Sequence, residues 1–298
     1  MAGTQGARGT DKFRIAIIGS GPIGKLLASS ATPHPRIELI QYEQDSLPLR
    51  PAFGYGVGPQ TLNAAKVLNP KLGDELLKRC YTSKVWMRWW HGGVEDRLIT
   101  DVEVPDGKVF GRLGREELMT LLDDLLPEGM DKNEIQYGKR LASVNQLGPN
   151  ELELAFQDGT KDRVNAVWAA DGVNSMCRKL VQGQSFRPPS YTGFQVYRGK
   201  VAASKVAELV GEDFAAGTYM FVGVKGWHVL IFPIDNNTTT NVAAFCMVPD
   251  QKKFSRDDNV TMEELLGHFP ERSSKIDTIL KARVFFRRYS RPFLTYVS

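Results

Sequence analysis

Residues 13 to 24 read FRIAIIGSGPIG, and this stretch decides the fold. The apolar, β-branched run Phe13–Ile18 predicts a strand. Because Pro22 suits the first turn of a helix, we expect a helix over Pro22–Ser30, directly after the glycine-rich turn. Ile37–Tyr42 predicts a second strand, and the three elements together form a compact β-α-β unit.

The glycines of this turn stand in a GxGxxG pattern that is typical of dinucleotide binding. Gly19 permits the tight turn, Gly21 lets the backbone approach a pyrophosphate, and Gly24 allows close packing of the helix on the strand. Glu43 follows the second strand, where a carboxylate accepts hydrogen bonds from ribose hydroxyls. Strand, turn, helix and acid together therefore predict a Rossmann-type nucleotide site rather than a chance glycine turn.

The pattern of the chain changes after about residue 180 and becomes rich in strands from Phe194 onward. Further helices are predicted at Pro59–Leu68, in a short stretch that ends with Leu76–Cys80, at Gly114–Leu126 and at Met262–Phe269. Further strands are predicted at Val85–Trp90, Leu152–Phe156, Val164–Ala169, Trp227–Phe232 and Asn241–Met247. We expect an α/β fold in which a Rossmann-type nucleotide domain with a parallel sheet, residues 11–180, is interleaved with a mostly antiparallel β-sheet substrate domain, residues 181–298. Residues 83–108, with their Trp-rich strand, are expected to add strands to the second domain, and residues 1–10 to form a disordered tail.

The composition is that of a soluble globular protein. Of 298 residues, 42% are hydrophobic and 24% charged, and the formal net charge is only +4. No apolar run is long enough to span a membrane, and no basic block favours nucleic acid, since apolar residues interrupt the cluster at Arg287, Arg288 and Arg291. The cysteines are too few and too far apart for a disulfide framework or a metal site, which favours a reducing, cytoplasmic location. A homo-oligomer is left open.

Three further segments carry glycines, arginines and acids in a fixed order. They are the run Gly54, Gly56, Gly58 and Pro59 after Arg50, the helix start Arg115-Glu116-Glu117-Leu118, and the turn Ala169-Ala170-Asp171-Gly172-Val173-Asn174-Ser175 followed by Arg178. With the first turn, they resemble the flavin-binding segments of FAD-dependent monooxygenases of the aromatic-hydroxylase family, the salicylate-hydroxylase-like enzymes. Taken singly, Arg115 also fits a solvated helix start, and Asp171-Gly172 an ordinary strand-to-helix turn.

The resemblance implies a cofactor, a co-substrate and a reaction. It implies that FAD is bound by Gly19, Gly21, Gly24, Glu43, Gly54, Gly56, Arg115, Asp171 and Gly172. NAD(P)H is implied as a transient co-substrate, because this family binds it without a second Rossmann domain and no second GxGxxG follows. The implied reaction is hydroxylation of an aromatic or related electron-rich small molecule with NAD(P)H and O2, in secondary metabolism.

A strand in the second domain also resembles the family. The segment from Gly193 to Gly199 is similar to the strand that faces the substrate, which implies that Arg198 is a catalytic residue holding a phenolate or carboxylate. A structural ion pair is the alternative for Arg198. The family often has Tyr-Pro where this chain has Phe232-Pro233, so no phenolic hydroxyl is present there. The four histidines, His34, His91, His228 and His268, are interpreted as structural or exposed, and the tryptophans near residue 86 as sheet core.

Family members usually continue to a Gly-Asp motif, typically Gly-Asp-Ala-Ala-His, that contacts the flavin, and this sequence contains no Gly-Asp-Ala-Ala-His. We therefore expect a chain that stops before the last strand and helix of the FAD domain and that holds FAD loosely. Two other hypotheses stay open. One is a shortened, non-catalytic remnant with weak or no FAD binding, and the other is an NAD-dependent dehydrogenase, which the segments at Arg115 and Asp171 disfavour.

Overall fold

The computed structural model describes residues 12–31, 34–46, 53–126, 135–249, 256–257, 260–282 and 287–289. The tail over residues 1–10, Arg50, Arg291 and the stretch after Tyr289 lie outside these residues. The chain forms two compact units, the first from Met1–Arg50 and Met119–Pro188, the second from Pro51–Leu118 and Pro189–Ser298. Among the described residues, no helix has the length and hydropathy that crossing a membrane requires.

Strands and helices are numbered here along the chain. The strands are β1 (Phe13–Ile18), β2 (Ile37–Tyr42), β3 (Gly54–Val57), β4 (Tyr81–Thr82), β5 (Val85–His91), β6 (Leu98–Glu103), β7 (Gly111–Gly114), β8 (Ile135–Gln136), β9 (Leu141–Gly148), β10 (Glu151–Phe156), β11 (Lys161–Val164), β12 (Ala166–Ala169), β13 (Phe194–Ala202), β14 (Tyr219–Val222), β15 (His228–Ile234), β16 (Thr239–Met247), β17 (Arg256–Asp257) and β18 (Arg287–Tyr289). The helices are α1 (Pro22–Ser30), α2 (Pro59–Leu68), α3 (Pro70–Arg79), α4 (Arg115–Asp124), α5 (Met176–Gln182), α6 (Ala203–Val210), α7 (Glu212–Ala216), α8 (Met262–Gly267) and α9 (Ser274–Lys281).

The first unit contains a parallel sheet in the order β12-β1-β2-β8 and an antiparallel sheet in the order β11-β10-β9. Strand β1 is central, and its residues Ile15 to Ile18 are buried, as expected when a parallel sheet is covered on both faces. Ala16 and Ile18 pack in one hydrophobic cluster with Phe156, whereas Ile17 packs in another with Ala28 of α1. The Rossmann-type β-α-β unit predicted from the sequence is confirmed, with β1, α1 and β2 at the predicted bounds.

The single strand predicted over Val164–Ala169 is wrong. Strand β11 ends at Val164 and β12 begins at Ala166, and the two strands belong to different sheets. The residue between them, Asn165, exchanges two hydrogen bonds with Arg14, at 2.7 Å and 2.8 Å. The stretch from Val164 to Ala169 spans a change of sheet at Asn165, and the pattern of apolar residues alone does not reveal which partner a strand pairs with.

The second unit is built on a sheet in the order β17-β18-β13-β16-β15-β14-β5-β6, in which only β14 and β5 pair in parallel. A smaller antiparallel sheet has the order β3-β7-β4. One face of the large sheet packs on helices α6 to α9 through alternate residues such as Tyr197, Val229 and Val242. Helices α6 and α7 were not foreseen in a stretch that was predicted to be rich in strands. They cover the sheet core with Val206 and Ala215.

The Trp-rich strand β5 lies in the large sheet between β14 and β6. Trp90 packs against the core, with its ring centre 5.2 Å from that of Phe214. Trp89 points to the opposite face and is 37% exposed. The core interpretation of these tryptophans therefore fits Trp90 but not Trp89.

Candidate functional site

The glycine turn after β1 has a backbone that accepts no side chain at two of its positions. Gly19 has a φ of +103°, and a Cβ there would lie 2.5 Å from the carbonyl oxygen of Ala170. A Cβ at Gly24 would lie 1.9 Å from the carbonyl oxygen of Gly19. A Cβ at Gly21, by contrast, would meet nothing within 4 Å. The turn is therefore closed towards the sheet and open at Gly21, the position expected to face a pyrophosphate.

Helix α1 starts at this turn with its first N–H groups available to an anion. Its N-cap is Gly21, which has no side chain to cap the helix, and the first turn carries no acidic residue. The unpaired N–H groups and the positive end of the helix dipole favour a phosphate at this place.

Glu43 is held in a fixed position at the end of β2. One carboxylate oxygen accepts a hydrogen bond from the backbone N–H of Ser20 at 2.8 Å, and the other accepts one from the N–H of Asp45 at 3.0 Å. Each carboxylate oxygen can accept a further hydrogen bond. Glu43 thus stabilises the glycine turn and retains acceptor capacity for ribose hydroxyls.

Three polar side chains that the sequence did not single out support the same turn. Gln41 is fully buried and donates a hydrogen bond to the carbonyl oxygen of Gly19 at 2.9 Å. Lys25 is 4% exposed and forms an ion pair with Asp123. Tyr137 follows β8, and the nearby Ser20 side chain lowers the pKa of its hydroxyl. Lys25 directly follows the GxGxxG and could have been noticed, whereas Tyr137 has no sequence signal.

Asp171 has a structural task in the first unit. Its carboxylate accepts hydrogen bonds from the Ser175 hydroxyl at 2.5 Å and from the N–H groups of Met176 and Cys177 at 2.8 Å and 3.0 Å. It therefore caps the start of α5, while Gly172, with a φ of +78°, makes the turn before it. This turn adjoins the glycine turn, because a Cβ at Gly19 would lie 3.3 Å from the Cα of Asp171. A cofactor contact for Asp171 and Gly172 stays a prediction.

Gly54 and Gly56 belong to the second unit, where packing requires them. A Cβ at Gly54 would lie 2.4 Å from the Phe232 ring, and one at Gly56 would lie 2.8 Å from the Trp86 ring. Arg115 begins α4, and its N–H donates to the carbonyl oxygen of Phe53 at 2.8 Å. Its guanidinium has no hydrogen-bond or ion-pair partner within the part of the chain that the structure describes. Cofactor contacts of these three residues remain predictions.

The face of the large sheet that points away from helices α6 to α9 is called here the outer face. Pairing across five strands aligns one row of this face. The row consists of Arg198, Ala243, Leu230, Met220 and Trp89. Arg198 contributes the positive charge of the row, and its guanidinium carbon lies 5.4 Å from the centre of the Phe53 ring. A cation at one end of an apolar row suits a flat apolar ligand with one anionic group.

His228 lies on the outer face in the next row, where it pairs with Phe245. Its ring stacks on Phe245 with centres 4.5 Å apart and an angle of 14° between the planes. Burial lowers the pKa of His228, while a hydrogen bond to the Gly226 backbone opposes that shift. Burial thus favours the neutral imidazole, in which one ring nitrogen carries no proton and can accept one. The interpretation of His228 as a structural residue fits this burial and stacking, and its spacing from Phe232 on a strand places both on one face.

Known proteins match the chain in sequence and in fold, although no protein-family model matches it. A salicylate hydroxylase of Pseudomonas putida is 30% identical in an alignment of 251 positions that covers 78% of this chain and 54% of that protein. The FAD-dependent monooxygenase azaH of Aspergillus niger is 29% identical in an alignment of 256 positions that covers 81% of this chain and 58% of that protein. The solved structure of HpxO from Klebsiella pneumoniae, complexed with FAD and uric acid, matches with a TM-score of 0.76 at 18% identity. The match covers 94% of this chain and 68% of the HpxO chain.

The chain spans little more than half the length of the curated relatives that it matches, 54% and 58% in these two cases. The sequence identity extends over most of the chain, and the structural match shows the same fold: a parallel sheet and a separate, mostly antiparallel sheet. Over its matched length, the chain is therefore similar in sequence to a salicylate hydroxylase and to FAD-dependent monooxygenases, and it shares the fold of HpxO.

Proposed function

We propose that the chain acts as an FAD-dependent monooxygenase that uses NAD(P)H and O2 to hydroxylate an aromatic or related electron-rich small molecule. The observation that carries the proposal is the glycine turn of the first unit, with its open Gly21, its uncapped helix start and its fixed Glu43. The names of the matched relatives, a salicylate hydroxylase and an FAD-dependent monooxygenase, support the reaction class.

The residues of the glycine turn fit an FAD molecule. Gly21 and the start of α1 would hold the pyrophosphate, and Glu43 would bind the ribose. Arg115, whose guanidinium has no partner among the described residues, is proposed as a further contact. Bound FAD would supply the redox chemistry, in which NAD(P)H is the reductant and O2 the source of the oxygen atom. The protein's task is to bind and orient the cofactor and to exclude water.

The outer face of the second unit is the proposed substrate surface. Arg198 would hold a carboxylate or phenolate through charge-assisted hydrogen bonds. The unprotonated ring nitrogen of His228 would accept the proton of a phenolic hydroxyl, which makes the ring more electron-rich. Phe232 has no hydroxyl for this purpose, and His228 is proposed as the proton acceptor instead.

The test is a titration of the purified protein with FAD, followed by NADH and NADPH oxidation with and without salicylate and related phenolic acids. We expect bound-flavin absorbance and oxidation that an aromatic acid stimulates, with a hydroxylated product by mass spectrometry. A protein that binds FAD in no measurable amount would support the non-catalytic remnant. Retention of NAD without flavin would support the dehydrogenase.

The location of the chain is proposed from its cysteines. The three cysteines, Cys80, Cys177 and Cys246, are unpaired and buried, which suits a reducing compartment such as the cytoplasm. We also propose that the first unit is the FAD-binding domain and the second the substrate domain. Size-exclusion chromatography with light scattering would decide whether the chain forms a homo-oligomer.

A further inference from the structure

Tyr137 is fixed at the carboxyl end of the parallel sheet, beside Glu43. It directly follows β8, which pairs in parallel with β2. Three backbone hydrogen bonds join the chain after β8 to the chain after β2: Glu43 to Gln136 at 2.8 Å, Lys139 to Glu43 at 2.8 Å and Gly138 to Asp45 at 2.9 Å. The backbone of Tyr137 is therefore held on both sides of the residue.

The side chain of Tyr137 is only partly buried, in contrast to Tyr42 of β2, which is 1% exposed and belongs to the core. Its hydroxyl lies close enough to the Ser20 side chain for Ser20 to lower the pKa of the phenol, and the Ser20 N–H donates to Glu43. Burial, followed by the nearby carboxylates of Asp123 and Glu43, raises the pKa of Tyr137. The phenol thus stays protonated, and part of its ring remains accessible beside the glycine turn.

The order of the strands gives the direction in which a dinucleotide would lie. In a Rossmann-type sheet the turn after the first strand takes the pyrophosphate and the acid after the second strand takes the ribose. Here the next strand in the sheet is β8, in the order β12-β1-β2-β8. The base attached to that ribose would therefore lie near the end of β8, where the Tyr137 ring is found.

We propose that Tyr137 is a binding residue for the adenosine part of the cofactor, its ring forming one wall of the adenine site while its hydroxyl holds Ser20 in the glycine turn. The proposal rests on the FAD binding proposed above. Nothing in the sequence motifs assigns this role, because β8 comprises only Ile135–Gln136 and carries no motif.

The test uses two substitutions in the full chain and three ligands. Tyr137→Phe keeps the ring and removes the hydroxyl, whereas Tyr137→Ala removes both. Phe13→Ala is the matched control, because Phe13 is 44% exposed and lies at the opposite end of the same sheet. Affinities are measured by calorimetry for FAD, for ADP, which carries adenosine without flavin, and for FMN, which carries flavin without adenosine. The melting temperature without ligand is recorded for each variant.

Tyr137→Ala is expected to weaken FAD and ADP binding by about tenfold, the size of a lost stack between an aromatic ring and a base. Tyr137→Phe is expected to weaken both by about twofold to fivefold through the lost hydrogen bond. FMN binding and the melting temperature should stay the same in both variants, and Phe13→Ala should bind every ligand as the unmodified chain does.

Unchanged ADP affinity in Tyr137→Ala would overturn the proposal, and so would an equal loss of ADP and FMN with a lower melting temperature, which indicates a purely structural tyrosine. If the unmodified chain binds ADP in a Tyr137-dependent way but not FAD, the inference stands and the proposed function falls. If it binds neither ligand, both are overturned.

Discussion

The glycine turn of the first unit and the outer face of the second unit carry their chemistry in different ways. In the turn, the backbone is the binding group, and neither Gly19 nor Gly24 has space for a Cβ. On the outer face the backbone is an ordinary antiparallel ladder, and side chains such as Arg198 and His228 provide the chemistry. A cofactor site built from backbone tolerates few substitutions, whereas a substrate surface built from side chains can change its specificity without changing the fold.

The largest effect on FAD binding and stability is expected from a methyl group added to the glycine turn. Gly24→Ala should abolish FAD binding and lower the free energy of unfolding by about 1–3 kcal/mol, because its Cβ would overlap the Gly19 carbonyl oxygen at 1.9 Å. Gly21→Ala is the matched control, since a Cβ there meets nothing. It should weaken FAD binding with little change in stability. Urea unfolding and FAD titration of both variants test this, and equal stability of the two would contradict it.

Glu43 tests whether one side chain matters as much as the backbone of the turn. Glu43→Ala should weaken FAD binding about tenfold or more, because a charge-assisted hydrogen bond to ribose contributes about 1.5–3 kcal/mol. It should also loosen the turn, since the N–H groups of Ser20 and Asp45 lose their acceptor. Fluorescence titration of the apoprotein measures the effect. Wild-type affinity in this variant would remove Glu43 from the site.

Arg198 tests whether a side chain of the outer face affects the substrate without affecting the cofactor. Arg198→Ala should leave FAD affinity unchanged and raise the KM for an aromatic acid about tenfold, because one charge-assisted contact to the substrate is lost. Arg198→Lys should recover part of the loss, since it restores the charge without the planar fork. Steady-state NAD(P)H oxidation gives the KM. A fall in FAD affinity would instead assign Arg198 to the cofactor.

The smallest effect is expected from His228 and appears as a pH dependence. Because burial lowers its pKa in the folded chain, the unfolded chain binds the proton more readily. Its contribution to stability is therefore complete above about pH 6.5, the ordinary pKa of histidine, and is lost as the pH falls below that value. His228→Gln should flatten the pH profile of unfolding in this range. An identical profile for the variant would show that another group titrates.

The sequence predicted the strands and helices that are determined by residues close together in the chain. It did not predict features that depend on which strands pair with each other. The run Phe13–Ile18, the proline at the start of α1 and the glycines of the turn act within a few residues, so β1 and α1 have the predicted bounds. The change of sheet at Asn165 depends on a hydrogen-bond partner far away in sequence. For the same reason Tyr137 was not singled out and His228 was interpreted only as structural or exposed, because their neighbours are set by strand order and register.

Asn165 has a consequence for how the first unit opens. It exchanges two hydrogen bonds with Arg14 of β1 and also donates its side-chain amide to the carbonyl oxygen of Asn150 at 2.7 Å. Since β1 is central in the parallel sheet and β11 lies in the antiparallel one, a single peptide couples the two sheets. Neither sheet can fray at this point without exposing donors and acceptors of the other. The amides of both sheets should therefore exchange with solvent deuterium in one cooperative opening event.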